Sequence, residues 1–366
     1  MKVRAAVAYE GRDQFAMEDL ELSEPGPNDI LVRVVSVGLC HTDVKALEGS
    51  LRVPKPVVLG HEGAGIVERT GERVTKVKPG DSVVLTYDSC GACRACAGGD
   101  PAYCEQTGAL NFHDARETEP GFFRKGNDRI HGHFFGQSSF ASYAIARPQN
   151  TIPVRKDAPL EILCVLGCGV QTGAGAVMNS LGAKAGESIA IFGVGPVGLS
   201  AVMAAAVCGC SEIVAVDVLE SRLATAKQLG ATRCVLVGPN TKTAEEVRRL
   251  VFGGVNCAFD TTGRADSYQQ AFASLATKGR FGFVTVPIGA FEPNLGAMML
   301  GGLTIRGIVQ GDSVPDTFIP RLIDLHMSGR FPFDKLVTKY PFETINQAIK
   351  DQASGKVVKP VFTFDS

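Results

Sequence analysis

The stretch "IAIFGVGPVGL" (residues 189–199) runs from unbroken apolar residues into three glycines, Gly193, Gly195 and Gly198, spaced G-x-G-x-x-G. The apolar run reads as a buried strand, and the alanine-rich "LSAVMAAAVC" that follows reads as a helix. In such a strand–turn–helix the first glycine permits the tight turn. The second lets the backbone approach a pyrophosphate, and the third lets helix and strand pack closely. The helix N-terminus then presents unpaired N–H groups and a positive dipole end to an anion. The next strand, "EIVAVD", ends at Asp217, 24 residues after Gly193. A carboxylate there accepts hydrogen bonds from adenosine ribose hydroxyls and repels a 2′-phosphate, which predicts NAD rather than NADP. Arg222, one turn into the following helix, reads either as a second ribose neighbour or as part of a solvated helix face.

Working outward, "SRLATAKQLGATRCVLV", "VNCAFDTTG", "GRFGFVTVP" and "LTIRGIV" continue the alternation of strand and helix. Alternation with continuously apolar strands predicts a parallel, doubly wound α/β sheet covered on both faces. It spans residues 171–311. Earlier in the chain, "ILVRVVSVGLC", "GAGIVERTG" and "DSVVLTY" are short β-branched runs separated by Gly, Pro and Asp, the pattern of a β-rich domain. The helical "FIPRLIDLHMSG" and "ETINQAIKDQASG" and the strand-like "KPVFTF" return to mixed character. The expectation is a β-rich domain from residues 1–170 and 312–366, interrupted by the doubly wound one.

With 37 Lys and Arg against 38 Asp and Glu, the net charge of −1 gives no basic field for nucleic acid and no polybasic patch for a membrane surface. The N-terminus lacks the apolar core and cleavage site of a signal peptide, and no run approaches a membrane span. The expected location is the cytoplasm, where thiols stay reduced. Eleven cysteines there read as metal ligands before they read as bridges.

Four of them stand in "CGACRACAGGDPAYC" (residues 90–104), as C-x2-C-x2-C-x7-C. Cys90, Cys93, Cys96 and Cys104 match a closed tetrahedral structural zinc site, with no position left for substrate. A second ion needs other donors. "GLCHTD" offers Cys40 and His41, "LGHEGAG" offers His61 and Glu62, and "CVLGCGVQTGAG" offers Cys164 and Cys168. Two thiolates and one imidazole with one position open form a known catalytic zinc set.

The run "GHEGAGIVERTGERV" (residues 60–74) fits the signature G-H-E-x2-G-x5-G-x2-V at every fixed position. By it the chain resembles the zinc-dependent alcohol dehydrogenases of the medium-chain dehydrogenase/reductase superfamily, nearly end to end. "FFGQSSFASYA", "LGCGVQTGAGA" and "GRFPFDKLV" are most similar to its aryl (benzyl) alcohol branch. The resemblance implies a GroES-like catalytic domain and a Rossmann coenzyme domain, NAD and two zinc ions per subunit. It implies Cys40, His61 and Cys168 as catalytic ligands, selecting Cys168 over Cys164 because the ligand precedes G-x-x-T-G. Asp43 is implied as the residue orienting His61, Glu62 as an acidic neighbour of the ion, and Thr42 as the first proton-relay hydroxyl. His41 stands where many relatives have an arginine, facing the coenzyme pyrophosphate. Lys45 stands where some have a relay histidine, and Lys359 falls where the family has a basic phosphate contact or is simply solvated.

The implied reaction is reversible oxidation of a primary aromatic or allylic alcohol to its aldehyde, by a homodimer or homotetramer. Alternatives are a zinc-ribbon interaction module, or a relative acting on geraniol, a formaldehyde adduct or a polyol. Phe112, Phe122, Phe123, Phe134 and Phe135, within the segment 111–140, line a substrate pocket or form loop core. His113, His131 and His133 lie off the family's ligand positions.

Overall fold

The computed structural model describes residues 1–113 and 122–364, so residues 114–121 of the aromatic segment and the last two residues of the C-terminal segment lie outside the described residues. The chain divides into two compact units: Met1–Cys168 with Val314–Met327 and Asp334–Ser366, and Gly169–Ser313 with Ser328–Phe333. The last piece departs from the sequence expectation, which assigned all of 312–366 to the first domain. Phe331 and Phe333 are both fully buried and cluster with the second unit.

The first unit is built on two sheets. One orders Val57–Val58, Lys2–Ala8, Ala16–Leu22, Phe123–Lys125 and Asp128–Ile130, antiparallel throughout. The other centres on Ile30–Gly38, which pairs antiparallel with Gly63–Thr70, Tyr143–Ala146 and Lys359–Thr363. Ile30–Gly38 is buried along almost its whole length, including Ile30, Leu31, Val32, Val34 and Val37. That explains its near-continuous β-branched sequence.

A short helix, His41–Glu48, follows that strand directly. Cys40 is its extended N-cap residue, and Asp43 at the third helical position accepts a hydrogen bond from the Cys40 backbone N–H at 3.0 Å. This half of a capping box stops the strand and starts the helix at one residue. Gly49, left-handed at φ +83°, ends it. Local chemistry therefore sets Cys40, Thr42 and Asp43 on one turn.

The second unit carries a six-stranded parallel sheet in the order Arg233–Leu236, Glu212–Asp217, Ser188–Phe192, Val255–Asp260, Leu275–Phe283, Thr304–Gly307. In chain order this is 3-2-1-4-5-6, and the order reverses between Ser188–Phe192 and Val255–Asp260. Ligands of such sheets bind outside the carboxyl ends of the strands at that reversal. Gly193 lies there, beside Thr261 and Thr262. Among the described residues no single helix is long and apolar enough to cross a membrane.

The three glycines of 193–198 have different physical reasons. Gly193 has φ +80°, and a Cβ on it would lie 2.7 Å from Thr261 Oγ1. A Cβ on Gly198 would lie 2.0 Å from the Gly193 carbonyl oxygen, a backbone atom that cannot yield. Gly195 caps the helix Pro196–Cys208 at φ −72°, and a Cβ there meets nothing within 4 Å. Its bareness serves open space. Gly198→Ala is therefore expected to lower stability by about 1–3 kcal/mol through overpacking, while Gly195→Ala leaves thermal unfolding unchanged. Equal melting temperatures for the two variants would contradict this.

Candidate functional site

Three segments of the first unit bring Cys40, His61, Glu62 and Cys168 together, with one donor atom of each within 4.8 Å of the others. Cys40 comes from the helix start. His61 and Glu62 lie in the turn before the strand Gly63–Thr70. Cys168 follows a tight turn at Cys164–Gly167, pinned where Thr86 Oγ1 donates to the Gly167 carbonyl at 2.7 Å. Gly167 packs so closely that a Cβ would lie 2.3 Å from the Leu85 carbonyl oxygen. Cys164, fully buried, stays outside the donor set, and burial pushes its thiol up to about 12.

Asp43 ties these pieces together. Its Oδ1 accepts from His61 Nδ1 at 2.9 Å and from the Gly60 N–H at 3.1 Å, while its Oδ2 accepts from Cys40 N–H. With a proton fixed on Nδ1, the Nε2 lone pair is left for a metal. His61 Nε2 is buried with no hydrogen-bond partner among the described residues. Phe135 stacks on the imidazole at 4.4 Å and Phe134 meets it edge-on at 5.7 Å. Phe112 packs edge-on against both phenylalanines. By contrast Phe123 is a core residue, and Phe122 lies under Arg124 and Arg129.

The electrostatics call for a cation. A hydrogen bond from Cys168 draws the Cys40 thiol well below its usual range against the effect of burial, and His61 adds to this. The same bond, with burial, drives Cys168 well above. In a coupled pair of this kind one thiol holds its proton more tightly than the other, and a positive ion beside them would favour both thiolates. Burial works to lower the His61 pKa, yet Asp43 and Cys40 lift it well above the ordinary value. Two sulfurs and an orphaned imidazole nitrogen in a closed, negatively polarised pocket fit a zinc ion.

Thr42 is half-buried, with Oγ1 3.7 Å from Cys40 Sγ. His41 is exposed on the first helical turn, and Lys45 is half-buried. Lys359 corrects the sequence expectation. It is 1% exposed, pairs with Glu62 Oε2 at 2.5 Å and donates to the Leu39 carbonyl at 2.9 Å, so it is not a solvated lysine. Gln137 was not anticipated. Its Nε2 donates to the His61 and Thr86 carbonyls, both at 3.0 Å, and its Oε1 accepts from Gly63 N–H at 3.1 Å. The only sequence signal was the polar run "GQSS" among phenylalanines.

The four cysteines of 90–104 form a second cluster within the same 4.8 Å limit. Cys90 Sγ lies 3.9 Å from Cys96 Sγ, and Cys93 Sγ 4.0 Å from Cys104 Sγ. Backbone N–H groups of Cys93, Glu105 and Gln106 donate to sulfurs at 3.2, 3.4 and 3.4 Å. Donors aimed at sulfur stabilise thiolates; those of Cys96 and Glu105 draw Cys93 down to about 6.

In the second unit Asp217 is 5% exposed at its strand end. Its Oδ2 accepts from Val194 N–H at 2.8 Å and its Oδ1 from Leu219 N–H at 2.9 Å, which locks the glycine loop to the next strand. Arg222 Nη1 stands 3.8 Å from Oδ2. Both carboxylate oxygens retain lone pairs for further donors.

Residues 26–156 match the family model "Alcohol dehydrogenase GroES-like domain", and residues 196–326 match "Zinc-binding dehydrogenase". The four-cysteine loop lies inside the first match. A geraniol dehydrogenase from Castellaniella defragrans is 40% identical over 100% of this chain and 98% of its own length. Among solved structures, an alcohol dehydrogenase zinc-binding domain protein from Burkholderia ambifaria is similar at TM-score 0.97 and 48% identity, covering 100% of both chains. Benzyl alcohol dehydrogenase from Acinetobacter calcoaceticus is similar at TM-score 0.93 and 41% identity, again over 100% of both. The α/β architecture, the paired cysteine sets and these end-to-end similarities agree: the chain belongs to the zinc-dependent alcohol dehydrogenases of the medium-chain dehydrogenase/reductase superfamily.

Proposed function

We propose that this protein oxidises primary aromatic or allylic alcohols to their aldehydes, reversibly, with NAD as hydride acceptor. The observation that carries the reading is the convergence of Cys40, Cys168 and the His61 Nε2 atom, which has no hydrogen-bond partner among the described residues. Cys40, His61 and Cys168 hold a catalytic zinc, and Cys90, Cys93, Cys96 and Cys104 a structural one. The catalytic ion supplies Lewis acidity toward an alcohol or aldehyde oxygen. Asp43 keeps His61 in the tautomer that leaves Nε2 free. The Thr42 hydroxyl, beside Cys40, relays the substrate's hydroxyl proton, giving up its own to water as it accepts. Gly195 leaves room for a pyrophosphate, and Asp217 accepts from the ribose hydroxyls. Arg222 flanks that ribose, and exposed His41 meets the coenzyme phosphates.

The substrate class is supported by the aromatic surroundings of His61, on which Phe134 and Phe135 pack with Phe112 against them. Geraniol and benzyl alcohol, the substrates named for two relatives, share a carbinol carbon next to a π system. We place the protein in the cytoplasm, where reduced thiols keep both cysteine sets available to metal. We also propose a homo-oligomer. Strand Thr304–Gly307 pairs on one side only among the described residues, and Val286, Ile288, Leu295, Met299 and Leu300 of the same unit are exposed. An unpaired edge with apolar neighbours suits isologous pairing with a second copy.

Metal analysis is expected to return two zinc ions per subunit. Asp43→Ala should weaken the hold on one of them and reduce activity by about 10–100-fold, leaving the other in place. In turnover assays with benzyl alcohol, geraniol and ethanol, each with NAD and NADP, the first two alcohols with NAD should give the highest kcat/KM. Preference for ethanol would overturn the substrate reading, and preference for NADP the role given to Asp217. Light scattering on the eluting protein should give a mass of two or more chains; a monomer would refute the pairing.

A further inference from the structure

We propose that Lys359 is a positioning residue of the metal centre: its buried ammonium holds the Glu62 carboxylate off the ion taken by Cys40, His61 and Cys168, and so keeps one coordination position open. The inference rests on the zinc reading above. Glu62 has two possible cationic partners. One carboxylate oxygen lies within 4.8 Å of the three ligand atoms, close enough to enter their coordination sphere, while Oε2 pairs with Lys359 Nζ at 2.5 Å. Both side chains are sealed from solvent, at 2% and 0% exposure, so neither partner is replaced by water.

The fold builds this pair deliberately. Lys359 opens the C-terminal strand Lys359–Thr363, whose register against Ile30–Gly38 sets Val361 opposite Gly38. That register brings Nζ to the Leu39 carbonyl, one residue before the ligand Cys40. On the other side, Gly38 makes room for the carboxylate: a Cβ there would fall 2.2 Å from Glu62 Oε2. Charge gives the reason. Two thiolates and the Glu62 carboxylate carry three negative charges beside the ion, and Asp43, behind His61, a fourth, so the positive charge of Lys359 is needed in addition to that of a dication. Removing the ammonium takes away the positive charge that balances a buried carboxylate, which is costly. The ion, within reach of the same carboxylate, then draws it in.

The test puts Co²⁺ at the three-ligand site, leaving zinc in the four-cysteine site. In Lys359→Met the visible ligand-field bands should shift and weaken as a fourth protein ligand enters, and release of the ion to a chelator should slow by about tenfold. In the double variant Lys359→Met/Glu62→Gln the bands should return to those of the unsubstituted protein, and Lys359→Arg should resemble it throughout. Glu62→Gln alone should leave the bands where they are, which keeps the inference testable if Lys359→Met does not fold. Unchanged bands and release in Lys359→Met, a shift that survives in the double variant, or a shift in Glu62→Gln alone would each overturn it. Failure of the unsubstituted protein to take any ion at Cys40, His61 and Cys168 is a different result, and overturns the zinc reading itself.

Discussion

The Asp43 carboxylate is the constraint on which the site depends. Fully buried, it accepts from Cys40 N–H, Gly60 N–H and His61 Nδ1 at once. Each bond satisfies a donor that burial would otherwise strand, and charge-assisted bonds of this kind are the stronger sort. Together they join the N-cap of one helix to the turn that carries the imidazole. A helix start and the turn before a strand are thereby held in one geometry, by a bond between Asp43 and Gly60, 17 residues apart. The position of Cys40 relative to His61 is a consequence of that carboxylate rather than of either segment alone.

Around it the polar groups are graded by reach. Gln137 braces the carbonyl of His61 and the N–H of Gly63, so the ligand-bearing turn is clamped on both sides of Glu62. Phe135 covers the imidazole face and excludes water from it. In such a dry pocket two sulfurs and an imidazole have few ways to settle their charge, and a divalent cation is the one that satisfies all three. The outer thiols take no part. Burial pushes Cys210 up to about 12 and Cys257 up to about 11, which leaves them protonated and inert.

The two cysteine sets differ in how they are assembled. The four of 90–104 are gathered by a compact loop, with backbone N–H groups supplied by its own turns. The site at Cys40, His61 and Cys168 exists only when a strand, a turn and a distant tight bend come together. The first stabilises a local loop, and the second reports that the whole β-rich unit has folded. The glycine loop at residues 193–198 has an intermediate character. Its glycine conformations are local, but Asp217 closes it from the neighbouring strand through Val194 N–H.

The glycine turn and the C-x2-C loop were legible in the residues themselves, because backbone angles and chelate spacing are decided by sterics within a few positions. The alternation of apolar strands and helices likewise carried the doubly wound α/β sheet, and the signature around His61 carried the family. Three things were decided by tertiary structure. The first is the partner of Lys359, which strand register sets beside Leu39 across 320 residues of chain. The second is the clamp by Gln137, and the third is the packing of Phe134 and Phe135 onto the His61 ring. A side chain's partner across a sheet depends on register and burial, and a one-residue slip would exchange it for another. The sequence at Lys359 names the charge that is available; only the packed strands determine which charge it meets.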